Sequence, residues 1–83
     1  KHEIAHGLFY TSPEYKRKVL NLLKMFNLEE IKIELKSKDG YCDEVIDDEM
    51  HAWILTCSDE LKSKPPEKLK EELERLFEKY ENI

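Results

Sequence analysis

Two of the three histidines in this chain stand four residues apart, in His2-Glu3-Ile4-Ala5-His6, which reads H-E-x-x-H. On a helix, residues at that spacing are rotated by only about 40° and separated by about 6 Å along the axis, so both imidazoles can turn toward one ion. Imidazole nitrogen suits Zn2+, and two such ligands leave room for a third protein ligand and a water. Glu3 follows the first histidine at the rim of the same face. From there its carboxylate can accept a proton from water acidified by the metal, which makes general-base attack on a peptide bond feasible near neutral pH. Each residue type has a task at this spacing, provided that the segment is helical.

The surrounding elements must hold it so and bring the third ligand. Ser12-Pro13-Glu14 is a helix start, with a hydroxyl cap, a proline at the first helical position and an acid in the first turn. Tyr15, Val19, Leu22, Leu23 and Phe26 follow at helical spacing and predict a helix over 13–26, with Asn27 as its stop. The next stretch fits two patterns. Ile31, Ile33 and Leu35 alternate as in a strand, whereas Leu28, Ile31 and Leu35 form a helical stripe, and Asp39-Gly40 suits either a helix end or a hairpin turn. Its residue types favour a helix for 29–38, and the strand stays open.

In YCDEVIDDEMHAWILTC, Val45, Glu49, Ala52, Trp53 and Thr56 share one helical face, which predicts a helix over 42–57. A strand ending in HAWILTC is the rival reading. A helix there sets Cys42 and Cys57 about 22 Å apart, too far to bond. After a short polar linker, Pro65-Pro66 opens a helix to residue 81 whose stripe is Leu69, Leu73, Leu76, Phe77 and Tyr80. With a helix over 2–10, the expected fold is mainly α, one helical domain over residues 1–83.

The 83 residues carry a net charge of −5, which argues against a nucleic-acid partner, since phosphate binding needs surplus Lys and Arg. The Lys16-Arg17-Lys18 run reads as a solvated helix face. No stretch has the apolar length of a membrane span. Two cysteines are too few for a disulfide scaffold and fit a reducing cytoplasm.

HEIAHG followed by LFYTSPEYK, and later GYCDEVIDDEMHAW, resembles the HExxH zinc metallopeptidases of the gluzincin kind, with the ImmA/IrrE-type peptidases among them. The resemblance spans residues 2–56. It implies Zn2+ as cofactor and a peptide or protein as substrate. Carried over by position, His2 and His6 become ligands, Glu3 the general base, and Glu49, in an E-x-x-A-aromatic pattern, the third ligand. Peptidases of this zincin-like kind place a sheet before the HExxH helix. That sheet is missing here, and with the start at Lys1 this suggests the C-terminal part of a larger metallopeptidase domain. His2 would then lack a preceding helical turn and fray unless tied down.

Glu44, Asp47 and Asp48 compete with Glu49 for the ligand role. Ala52 and Trp53 lie three and four residues beyond Glu49 and so share its face. A small residue there lets two helices approach and an indole anchors the face. Asp47 and Asp48 point elsewhere, where a carboxylate is expected in solvent, and Glu44 suits the helix start.

His51 falls on another face from Glu49 and reads as a surface histidine. Tyr10 and Tyr41 are candidates for an oxyanion-stabilising hydroxyl, with an ordinary core or surface tyrosine as the simpler account of each. Cys57 reads as a small buried hydrophobe rather than a ligand. The acids from Asp43 to Glu49 lack EF-hand spacing, which argues against calcium. The leading expectation is zinc-dependent peptide hydrolysis. The alternative is a non-catalytic helical protein-interaction module with a structural HEIAH segment, and a third is an acidic inhibitor of a basic enzyme.

Overall fold

The computed structural model describes residues 2–40 and 42–81, without the side chains of residues 38, 39, 43 and 44. Its first helix, α1 (His2–Thr11), buries Ala5 and Phe9. Ser12 takes the extended conformation of an N-cap, and its Oγ accepts a bond from the Tyr15 N–H at 3.3 Å. Helix α2 (Pro13–Lys24) therefore begins at the proline, as the cap chemistry predicts, and buries Tyr15, Val19 and Leu23.

Asn27 does not act as the stop of α2. That helix ends at Lys24, where the Met25 N–H reaches the Leu22 carbonyl and the Phe26 N–H that of Leu23. The Asn27 Oδ1 instead accepts from the Glu29 N–H at 3.2 Å and so serves the next helix, whose first N–H groups have no partner of their own.

The ambiguous segment is helical, as α3 (Glu29–Asp39). A strand would bury Ile31, Ile33 and Leu35 together. Instead Leu28, Ile31 and Leu35 are buried while Ile33 is 58% exposed. Gly40 closes the helix at φ 70°, a left-handed conformation that costs a glycine nothing, and its N–H reaches the Lys36 carbonyl.

Helix α4 (Asp43–Thr56) runs through the centre and packs against α1, α2, α3 and α5. The rival strand is thereby excluded. Ile46, Asp48, Met50, His51, Ala52, Ile54 and Leu55 are all buried, which covers about two thirds of the circumference and explains why one stripe described this helix poorly. Free Cys42 and Cys57 flank its two ends.

A single 3-10 turn (Ser58–Glu60) leads into the linker, which the Glu34 carboxylate fixes by accepting from the Lys62 and Ser63 N–H groups at 2.7 and 2.8 Å. Helix α5 (Glu67–Glu81) lays Leu69, Leu73 and Phe77 fully into the core, with Leu76 and Tyr80 at its margin. Among the described residues there are five α-helices and no strand, a small helical domain. None of these helices is long and apolar enough to cross a membrane.

Candidate metal centre

Helices α1 and α4 pack together with a fully buried alanine on each, Ala5 and Ala52, residues small enough to let the backbones approach. That approach brings His2, His6 and Glu49 together. One ligand atom from each lies within 4.8 Å of the others, a group that could hold a metal ion. The two Nε2 atoms are 3.0 Å apart, and His6 Nε2 is 3.5 Å from Glu49 Oε1. Donors each 2.0–2.1 Å from a tetrahedral zinc stand about 3.3 Å apart, and these two separations lie near that value.

The proton accounting strengthens the fit. His6 Nδ1 lies 2.7 Å from Asp48 Oδ2, and a carboxylate oxygen can only accept, so this nitrogen carries the proton. His2 Nδ1 lies 2.8 Å from Thr56 Oγ1, whose own proton goes to the Ala52 carbonyl at 2.8 Å. His2 Nδ1 must donate as well. Each ring thereby turns its Nε2 toward the other. Glu49 Oε1 beside them is buried and has no hydrogen-bond partner among the described residues. Two imidazole nitrogens and a buried carboxylate oxygen facing one another form a donor group that could hold a cation.

The competitors of Glu49 sort out by position. Asp47 lines a pocket with Leu20, Phe26 and Lys32, away from α1. The Glu44 side chain lies outside the described residues. Asp48 is the correction. Expected in solvent, it is 3% exposed and holds His6 from behind. The wheel separates it correctly from Glu49, but α1 crosses α4 closely enough for one carboxylate to face Nε2 and its neighbour to face Nδ1.

His51 is a second correction. It is fully buried, stacked on Phe9 at 5.2 Å between centroids, with Nε2 3.0 Å from the Tyr15 hydroxyl. Its face of α4 does differ from that of Glu49, yet α1 and α2 cover that face too. Its Nδ1 proton goes to the Asp48 carbonyl at 2.8 Å, nearer than Asp48 Oδ1 at 3.2 Å, so Nε2 accepts from Tyr15. Burial first, and then the Asp48 charge, push the Tyr15 phenol far above its ordinary value, which keeps it a donor.

Trp53 is half-buried and sets its ring edge-on to His2 at 6.2 Å, while Thr56 holds the same imidazole, so the start of α1 is tied down. Glu3 is exposed. Tyr10, one turn beyond His6, is exposed too, and its phenol is raised first by partial desolvation and then by Asp48, through its charge and a hydrogen bond. Cys57 is half-buried with Sγ 3.3 Å from Thr56 Oγ1, and Tyr41 lies outside the described residues.

The spacing of HEIAH and the face shared by Glu49, Ala52 and Trp53 were legible signals for the three candidate ligands. The supporting pair Asp48 and Thr56 had a weaker one: each lies a helical turn, on opposite sides, from Ala52. No family model, curated protein or solved structure matches the chain.

Proposed function

We propose that this chain is the metal-binding helical part of a zinc-dependent peptide hydrolase of the gluzincin kind, with His2, His6 and Glu49 as ligands and Glu3 as general base. The observation that carries it is the convergence of two imidazole Nε2 atoms and one buried carboxylate oxygen. Two histidines and a glutamate are a donor set of hydrolytic zinc sites that keep one position open. Zinc held there supplies a Lewis acid that acidifies water and polarises a peptide carbonyl.

The chain's own residues do the rest. His2 and His6 each offer an Nε2 lone pair, and Asp48 orients His6 through Nδ1. Glu3, exposed beside His2, takes a proton at its carboxylate during attack and returns it to the leaving amine. The free cysteines suit a reducing cytoplasmic setting.

Elemental analysis of the purified chain tests the ligand set. About one equivalent of zinc is expected in wild type and in Glu3→Gln, and far less in His6→Ala or Glu49→Ala. Peptide hydrolysis is expected to vanish in Glu3→Gln while its zinc remains, because an amide cannot take the proton. Unchanged zinc on losing Glu49 would sink the assignment.

A second reading, the helical interaction module, is favoured by one feature. Leu22, Met25 and Leu76 line an apolar groove between α2 and α5, and Met25 is 74% exposed. On that reading wild type takes up no zinc, and Met25→Glu abolishes partner binding.

A further inference from the structure

We propose that Thr56 is a positioning residue for His2, fixing which ring nitrogen carries the proton and therefore which one is free to bind a cation. This rests on the metal-centre reading above and adds a residue to it. Asp48 and Thr56 hold the two histidines by different chemistry. A carboxylate accepts whatever hydrogen it meets, so Asp48 dictates the His6 tautomer by itself. A hydroxyl can donate or accept, so Thr56 dictates nothing until its own proton is committed.

The Ala52 carbonyl commits it. A carbonyl oxygen cannot donate, and it lies 2.8 Å from Thr56 Oγ1, the i−4 contact of a helical threonine. Only lone pairs then remain on Oγ1. One faces His2 Nδ1 at 2.8 Å, and the other is left for the Cys57 thiol at 3.3 Å. The hydroxyl is thus fully used, and His2 must be protonated at Nδ1. Helix α4 in this way supplies the Glu49 carboxylate and, from positions 48 and 56, the groups that turn both imidazoles toward it. The two supports are unequal. The neutral hydroxyl does less than the anionic Asp48 to raise the donor strength of its histidine, so His2 is the weaker of the two imidazole donors.

The test uses Thr56→Val, which keeps the branched shape but removes the hydroxyl, and Thr56→Ser, which restores it. The nitrogen-15 shifts of the His2 ring in the metal-free chain report the tautomer directly. Wild type and Thr56→Ser are expected to carry the proton on Nδ1, and Thr56→Val to move it substantially to Nε2. Zinc titration against a competing chelator is expected to show about 10–100-fold weaker binding in Thr56→Val, with most of it regained in Thr56→Ser. A purely structural threonine would leave the tautomer unmoved in Thr56→Val, and that result overturns the proposal. Wild type that takes up no zinc would overturn the metal centre instead, while the ring shifts would still decide whether Thr56 fixes His2.

Discussion

The two helix pairs that build this molecule bury opposite kinds of surface. Between α2 and α5 the contact is apolar, with Val19, Leu23, Leu69, Leu73 and Phe77 buried and charged residues left on the outer faces. Between α1 and α4 the buried set includes Asp48 and His51, and the ligand group of His2, His6 and Glu49 is partly covered. Burial of carbon needs no partner, because the hydrophobic effect has no direction. Burial of an imidazole or carboxylate is costly unless each polar atom finds a counterpart, so a chain of specific bonds runs from Tyr15 of α2 through His51 to Asp48 of α4 and on to His6 of α1. One interface buries carbon and the other holds the candidate ligands in place.

That division predicts opposite responses to mutation. Phe77→Ala should have the largest effect on folding, a loss of about 3–5 kcal/mol on chemical denaturation. If α2–α5 is only a stabilising layer, zinc affinity measured under folded conditions should not change. Asp48→Asn should invert the pattern. The amide still offers an acceptor to His6 but not a charge, so zinc affinity is expected to fall about 10–100-fold, with less loss of stability than Phe77→Ala. Equal effects of the two variants on zinc would erase the distinction between the regions.

Tyr15 joins them, since its ring packs 5.4 Å from Tyr80 while its hydroxyl serves His51. Tyr15→Phe keeps the packing and strips the donor from a buried nitrogen, at an expected cost of about 1–3 kcal/mol in urea unfolding. A negligible change would mean that the polar chain can be broken without penalty.

The smallest effect belongs to the outer rim of the α2–α5 pair. The Tyr80 hydroxyl, and next Lys18, hold the Glu14 carboxyl below its ordinary value. A lowered folded value means that the stabilisation exists above the unfolded carboxylate range and fades as pH falls through the folded value. Lys18 is raised by Tyr80 and Glu14, so its contribution is present below the unfolded lysine range and fades as pH rises through the folded value. Glu14 is exposed and Lys18 is 34% exposed, and solvent screening keeps the effect slight. An NMR titration should find the Glu14 midpoint moving up toward the ordinary range in Tyr80→Phe, with little change in stability.

Legibility followed the same divide. The Leu69, Leu73 and Phe77 stripe and the Ser12-Pro13 start were readable because each depends on a single helix and its own period. The 29–38 segment was settled only by the exposure of Ile33, since alternation and helical stripe shared Ile31 and Leu35. Asn27 was misread because a capping amide can serve the helix before it or the helix after it, and the choice depends on the chain's path. His51 and Asp48 were misread for a further reason. A helical wheel gives the angle between two side chains but not what lies opposite either one.

The sequence by itself determined that the chain is helical, where four of its helices run, and that His2 and His6 carry donors at a spacing able to meet. Those properties are local, fixed by caps, periodicity and the pitch of one helix. Only the tertiary structure decided that α4 lies at the centre, that Asp48 and Thr56 stand behind the two histidines, and that Tyr15 seals His51. Those depend on how α1 and α2 cross α4, and the crossing is set by close packing of all five helices at once rather than by any one segment.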